Sequence, residues 1–401
     1  MDNEPNKQQK EKVFSPSRKV WRTQMYKGIY TPHRVSLITC IVSNLLAEKI
    51  IDFLKKFDIV VYDETGRIIR EHIRKRPFGL PGEKIDFEST SVKVLRFSVP
   101  RKHSKLLMNA LIHIGEFLIS GSGTVFSQEL MEFTKEPPEF NFELLKDISQ
   151  YFPDYELIND LSYVICVLSD QGSSEQIAKI ALELGICVPL ITYGTGNDIR
   201  DQLGLIRITI PAEKEIAHLV MPEQDSESVI KLLVEQGRLD KPGKGFVYKT
   251  PVSAGLIDTR MKIGKQKYAA TYEQIIAAID QLKSGTSWRK RLDADVEDSK
   301  IGKSMKSQDN CEISIISDED RIDILRETCL EVGATGATTS KVTPVFTKDE
   351  SMITMIRSAI SVPAEITDNV VDKLLEVSTI KESNTDRIHI LDSPAAYIRK
   401  I

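Results

Sequence analysis

The 401-residue sequence has no apolar run near the roughly 18 residues that cross a bilayer, which argues against a membrane-spanning helix. Its N-terminal residues are polar and lack the apolar core of a secretory signal. It also has no excess of positive charge, since 54 basic residues face 58 acidic ones and the formal net charge is −4. We therefore expect a cytoplasmic protein that does not insert into membranes and does not bind nucleic acid.

Residues that bind metals or act as nucleophiles are few and scattered. The five cysteines form no CxxC pair, and the six histidines lack the spacing of metal ligands. Most of the cysteines lie in apolar stretches, which predicts buried, reduced thiols. We expect no metal site. Because the sequence shows no pair of acid and base groups that would converge in a cleft, we do not expect an enzyme.

Three copies of one pattern organise the chain. Each copy starts with an apolar run that ends in serine, followed by an amphipathic helix, a second strand, and a third strand that ends in proline. A second amphipathic helix and a last strand complete the copy. Ser173, three residues before Gln176, is predicted to cap the first helix of the second copy. The serines are Ser43, Ser169 and Ser317, and the prolines are Pro100, Pro222 and Pro363.

The order strand, helix, strand, strand, helix, strand predicts an α+β fold of three tandem ferredoxin-like repeats. Both helices of such a repeat cover one face of its sheet, so the other face needs a partner. We expect the repeats to pack sheet to sheet as a pseudo-trimer. The predicted parts are a polar arm (1–30), repeat 1 (31–135), a connector (136–157), repeat 2 (158–265), a helical and then disordered connector (266–307) and repeat 3 (308–401).

A basic, glycine-rich turn, Pro242-Gly243-Lys244-Gly245, follows the second helix of repeat 2. It is not a Walker-type phosphate loop, because a strand follows it and Gly245 stands where a magnesium-binding hydroxyl would be. Glycine N–H groups beside a lysine can still bind a phosphate. The same residues also suit a plain turn with a solvated lysine, so both interpretations stay open.

Three stretches of repeat 2 carry a family resemblance: ITYGTGN (191–197), IPAEKEIAHLVMP (210–222) and GRLDKPGKGFVYKTPV (237–252). With them the chain resembles the PII family of nitrogen-regulatory signalling proteins, in particular its divergent PII-like branch. GATGATTSKV (333–342) extends the resemblance to repeat 3, whereas repeat 1 matches mainly by position. Proteins of this family are trimers of ferredoxin-like units. They bind adenine nucleotides between subunits and contact partners through a long loop.

The resemblance implies a regulatory protein that binds an adenine nucleotide (ATP, ADP, AMP or cyclic AMP) in a cleft between repeats, without needing it to fold. It implies control of a protein partner, with a membrane transporter as one candidate, and leaves further self-association of the pseudo-trimer open. The residues that it places at the nucleotide are Gly243, Lys244, Gly245, Gly194, Thr195, Gly196, Thr338, Arg260 and Arg399.

The three copies differ where the glycine–lysine turn lies. Repeat 1 has Gly121-Ser122-Gly123-Thr124, with Thr124 in place of the lysine, and repeat 3 has ESNTDR (382–387) without glycine. We therefore expect one cleft, or at most two, to bind a nucleotide. Repeat 1 also has a long basic loop, 63–89, that is either a partner-docking arm or a solvated hairpin.

Two other functions remain open at this point. One is a structural or interaction pseudo-trimer that has lost its ligand, which the divergence of repeats 1 and 3 favours. The other is a small-molecule or metal-binding module of another ferredoxin-like family, since the fold alone does not fix a function. A response to nucleotides, to amino acids or copper, or to no ligand would distinguish the three.

Overall fold

The computed structural model describes ten ranges of the chain: 32–75, 83–135, 140–197, 213–241, 243–258, 260–263, 305–334, 336–345, 354–378 and 386–399. Within them it has seven α-helices and fourteen strands that form one large, mostly antiparallel sheet. This confirms the predicted mixed class of helices and antiparallel sheet. Residues 266–304 of the predicted second connector, including its helix, lie outside the described ranges.

Unit 1, residues 33–133, begins with a buried strand and an amphipathic helix. The apolar residues Ala47, Ile50, Phe53 and Leu54 recur at helical spacing and form the buried side of that helix. The elements of unit 1 are β1 (His33–Ser43), α1 (Asn44–Lys55), β2 (Val61–Lys75), β3 (Glu83–Pro100), a short 3-10 helix (Arg101–His103), α2 (Ser104–Ile114) and β4 (Gly123–Phe133).

Unit 2, residues 161–252, has the same order of elements and is followed by two short strands. Its elements and neighbours are α3 (Phe142–Ser149), which precedes the unit, β5 (Leu161–Leu168), α4 (Ser173–Glu183), β6 (Leu190–Asn197), β7 (Glu213–Pro222), α5 (Glu223–Gln236), β8 (Gly245–Val252), β9 (Ala254–Leu256) and β10 (Lys262–Ile263).

Unit 3, residues 305–399, repeats the order once more. The alternating stretch around Met355–Pro363 forms a strand, as its period of two predicts. The elements of unit 3 are β11 (Met305–Ser317), α6 (Glu319–Glu331), β12 (Gly336–Val345), β13 (Met355–Pro363), α7 (Thr367–Val377) and β14 (Arg387–Arg399).

All three units pair their strands in one order, with the fourth strand beside the first, the first beside the third and the third beside the second. Unit 1 reads β4-β1-β3-β2, unit 2 reads β8-β5-β7-β6, and unit 3 reads β14-β11-β13-β12. In each unit the helices cover one face, and a separate apolar core fills the space between helices and sheet.

The second strands of the three units pair with one another in a cycle. Strand β2 pairs with β6 at Arg67–Ile68, which we call the first junction. Strand β6 pairs with β12 at Thr195–Asn197, the second junction, and β12 pairs with the start of β2 at Val61–Asp63, the third junction. The last strands also meet, because β14 pairs with both β4 and β8. The units are thus joined through their sheets.

The helix-free sheet faces meet in a centre that mixes apolar residues with buried charges. One apolar cluster there joins Val94 and Phe126 of unit 1 with Tyr163 of unit 2 and Ala396 of unit 3. Two ion pairs lie here, Arg96–Glu64 within unit 1 and Arg357–Glu312 at 3.0 Å within unit 3, and His389 of unit 3 hydrogen-bonds Glu132 of unit 1 at 2.9 Å. Buried charges of this kind are costly unless paired, and each of these has its partner.

The predicted burial of the thiols is confirmed. All five cysteines are buried and free of disulfides, and burial raises the pKa of Cys166 and Cys187 to about 12. They are therefore protonated and unreactive at neutral pH. In the ranges that the structure describes, no helix is long and apolar enough to cross a bilayer.

Candidate functional site

The second junction brings four of the predicted nucleotide-binding residues together across two units. Gly196 of β6 pairs with Thr338 of β12, and Thr195 pairs with Thr339. The hydroxyls of Thr195 and Thr339 lie 2.5 Å apart, and Thr339 Oγ1 also donates to the carbonyl of Thr195 at 3.1 Å. Gly194, Thr195, Gly196 and Thr338 therefore form one continuous patch, although they lie about 140 residues apart in sequence.

The glycines of this patch allow the two backbones to approach closely. A Cβ on Gly194 would overlap the carbonyl oxygen of Thr339, which as backbone cannot move aside. A Cβ on Gly196 would overlap the side chain of Lys214, whose flexible end can shift. Gly194 is thus required for the approach of β12, and Gly196 leaves room for a lysine.

The glycine–lysine turn of unit 2 packs against the residues that follow β5. Gly243 and Gly245 have φ values of +72° and +133°, which side-chain-bearing residues rarely adopt. The N–H of Ser169 donates to the carbonyl of Lys244 at 3.1 Å. The ammonium of Lys244 forms an ion pair with Asp170, and both side chains are partly exposed. The lysine is thus held at the surface by a carboxylate that solvent also reaches.

Two residues of β7 complete this region, Lys214 and Glu215. Lys214 Nζ donates to Ser169 Oγ at 2.9 Å, one residue before the partner of Lys244. Glu215 accepts from the N–H groups of Gly172 and Ser174, both at 3.0 Å, at the start of α4. Burial raises the pKa of Glu215, but these N–H groups, together with the Ser174 side chain and the charge of Arg67, outweigh it and lower the pKa below its usual value. The carboxylate is therefore charged at neutral pH.

This geometry corrects one prediction. Ser173 does not cap α4: the cap position is Gly172, with φ +79°, and it makes no side-chain cap bond. Glu215 from a neighbouring strand satisfies the free N–H groups instead. The periodic pattern did not show this, because the capping group comes from β7 and not from the residues before the helix.

A cleft of about 960 Å³ opens beside the second junction, and all three units line it. Gly194 and Thr195 are part of its wall, together with Lys214. The predicted residues Gly196, Gly243, Lys244, Gly245 and Thr338 do not line it. Lys214 connects the cleft with the glycine–lysine turn, because it lines the cleft and donates to Ser169, which packs against the turn. Charged groups of both signs also line the cleft: Asp63, Glu64, Lys93, Glu213, Glu319, Asp323, Arg326 and Lys341.

Lys214 is the residue that the sequence interpretation missed. The run Glu213-Lys214-Glu215 looks like an exposed strand edge, whereas the structure turns Lys214 toward Ser169 and Glu215 toward α4. The available signal was its position inside IPAEKEIAHLVMP, one of the stretches that carry the family resemblance.

Of the two predicted arginines, only Arg260 has a described side chain, and its contacts lie away from the turn of unit 2. Arg260 lies at the first junction, where its Nη1 donates to the carbonyl of Ser120 at 3.2 Å and its N–H donates to Asp258 at 2.9 Å. Arg399 ends β14, where its backbone pairs with Met305. Its side chain lies outside the part of the chain whose side chains are described.

Comparisons with protein families, with curated proteins and with solved structures gave no significant match. The resemblance to PII-like proteins therefore stays a prediction from the stretches quoted above. In the described ranges, no group of three or more His, Cys, Asp or Glu side chains is placed to hold a metal ion. What supports a function for this chain is the geometry of its junctions.

Proposed function

We propose that this chain is a PII-like regulatory protein of the cytoplasm. Three ferredoxin-like units form a pseudo-trimer, and the second junction binds an adenine nucleotide that controls a protein partner. The single observation that carries this proposal is the patch formed by Gly194–Gly196 and Thr338 across two units, next to an open cleft. Its two lysines, Lys214 and Lys244, converge on the turn after β5.

The phosphates of the nucleotide would bind where these lysines lie. Lys244 would exchange its carboxylate partner, Asp170, for a phosphate oxygen, and the exposure of that ion pair makes the exchange inexpensive. A charge-assisted hydrogen bond contributes about 1.5–3 kcal/mol. Tyr193 lines the same cleft with a ring that is about half exposed. Aromatic faces of this kind are suited to contact with a base.

The hairpin of β2 and β3 is the surface that we assign to the partner. Its strands stay paired out to Lys75 and Glu83, beyond the region where β1 covers β3. On this extension Ile85 and Phe87 are 54% and 44% exposed, and apolar side chains of this size are common at protein contacts. The two interpretations of the basic loop 63–89, a partner-docking arm and a solvated hairpin, are both compatible with these paired strands. A membrane transporter remains one candidate partner.

Thermal unfolding with millimolar ATP, ADP, AMP or cyclic AMP tests nucleotide binding. A ligand at a hundred times its dissociation constant stabilises the native state by about 2.7 kcal/mol, so binding should raise the melting temperature measurably. We expect one nucleotide to raise the melting temperature of the wild type. The same nucleotide should not raise the melting temperature of Lys244→Ala or of Lys214→Ala. Lys241→Ala is the matched control, because this exposed lysine lies in the same turn.

Each other outcome points to a different function. If no nucleotide shifts the wild type, the proposal is rejected in favour of a pseudo-trimer without ligand. A shift with amino acids or copper instead would favour another ferredoxin-like module. If Lys241→Ala loses the shift as fully as Lys244→Ala does, general surface charge and not this site explains the binding.

A further inference from the structure

The segment after unit 2 crosses to unit 1 and closes the first junction. We call its residues 254–258 and 260–263 the clasp. Strand β9 of the clasp pairs with β4, and β10 pairs in parallel with β2 at Glu71 and His72. The N–H of Glu71 donates to the carbonyl of Met261 at 2.8 Å. The clasp is thus attached to unit 1 on both sides of Asp258.

Asp258 places its carboxylate at the glycine loop of unit 1. The N–H of Gly121 donates to Asp258 Oδ1 at 3.0 Å, and the N–H of Arg260 donates to the same oxygen at 2.9 Å. The guanidinium of Arg70 forms an ion pair with Oδ2. The N–H of Asp258 donates in turn to Thr124 Oγ1 at 2.9 Å. The side chains of Arg70 and Asp258 are only 7% and 4% exposed.

The groups that donate to Asp258, two backbone N–H groups and a guanidinium, are those of an anion-binding site. Backbone N–H groups at a positive-φ glycine, together with a guanidinium, are the groups that proteins use to hold phosphates and carboxylates. Gly121 has φ +98°, and its loop corresponds in position to the glycine–lysine turn of unit 2. Thr124 replaces the lysine there, and Arg70 of β2 supplies the positive charge instead.

We propose that the first junction is an anion site that the chain fills with its own carboxylate. Asp258 takes the position of a ligand phosphate, which closes this site to external anions and ties the β2–β3 hairpin to the segment after unit 2. Because Arg70 is buried, loss of the carboxylate would leave an uncompensated charge, and an anion from solution would be drawn to it. This proposal does not depend on nucleotide binding at the second junction.

The test is chemical rescue of the full chain. Asp258→Ala removes the carboxylate and leaves a space that formate can fill, while inorganic phosphate tests the larger ligand class. We expect Asp258→Ala to melt below the wild type in chloride. Formate and phosphate at equal ionic strength should raise its melting temperature by several degrees, with little change in the wild type. The double variant Asp258→Ala/Arg70→Met should show no such rise.

Hydrogen exchange of the Gly121 amide gives a local readout. Its protection should be lost in Asp258→Ala and restored by formate. If Asp258→Ala does not fold in chloride, recovery of folded protein in formate is the equivalent result. Asp258→Asn keeps the shape without the charge and leaves no space, so formate should not act on it.

Three results would overturn the proposal. They are an equal anion effect on the wild type and on Asp258→Ala, rescue that persists in the double variant, and no rescue by either anion. Rescue by formate without rescue by phosphate would reject the assignment of a phosphate position. Failure of the nucleotide proposal is seen separately, because that effect depends on Lys244 and not on Asp258 or Arg70.

Discussion

The first and second junctions use corresponding elements but satisfy their charges in different ways. At the first, Asp258 and Arg70 form an ion pair with side chains 4% and 7% exposed, closed in by the clasp. At the second, Lys244 and Asp170 form an ion pair with side chains 36% and 45% exposed, beside an open cleft. Because the junctions of one chain are built from different residues, they need not be alike: the first is closed by a buried ion pair, whereas the second stays accessible.

The largest expected effect comes from breaking the buried pair of the first junction. Arg70→Ala leaves the carboxylate of Asp258 buried without a counter-charge, which costs about 3–5 kcal/mol. Unfolding of the wild type and of Arg70→Ala in guanidinium chloride measures this loss. The matched control is Arg67→Ala on the same strand, whose partner Glu175 is 61% exposed and whose loss should cost about 1 kcal/mol. Equal losses in both variants would contradict the contrast between buried and exposed pairs.

The next effect concerns the glycine that ends the turn of unit 2. In Gly245→Ala the positive φ costs about 1–3 kcal/mol. Overlap of the new Cβ with the carbonyl of Val167 adds to this loss. Gly172→Ala, at a positive φ where an added Cβ meets no described atom within 4 Å, should lose only about 1–2 kcal/mol. Urea unfolding compares them, and a larger loss at Gly172 would show that the turn is not tightly held.

The smallest effect is a pH dependence of the free energy of unfolding. It comes from His218 of β7, which contacts β6, the strand that both junctions share. His218 accepts or donates at both ring nitrogens, to Tyr163 and to Thr192 of β6, each at 2.8 Å. Burial, with the charges of Arg96 and Arg357, lowers its pKa well below 6.5. The unfolded chain therefore takes up a proton that the folded chain excludes. Stability should fall as the pH drops below 6.5, by up to about 1.4 kcal/mol per pH unit.

Urea unfolding between about pH 7 and pH 5 measures this slope. His218→Gln should be less stable at neutral pH but show a shallower slope than the wild type. His113→Gln is the control, because this histidine lies on the exposed side of α2. A slope unchanged in His218→Gln would mean that other groups set the pH dependence.

Local periodicity was enough to predict the order of strands and helices, since the serine and proline ends of the strands and the apolar faces of α1 and α4 are short-range features. It also placed the glycine–lysine turn before β8. Local periodicity could not predict which side chains contact each other between units. Arg70 and Asp258 are 188 residues apart, and no local pattern marks them as partners. Lys214 resembled an exposed edge because its neighbours, Ser169 and Gly196, become adjacent only after folding.

The cycle of second strands has a consequence for synthesis on the ribosome. Asp63 at the start of β2 pairs with Thr343, which is 280 residues later in the chain. At about 5–20 residues per second, that partner is made about 14–56 s after Asp63. During this interval one edge of β2 has no strand from unit 3 beside it, and an unpaired edge can pair with other chains. The time needed to translate residues 64–343 therefore sets how long this edge of unit 1 is exposed to aggregation.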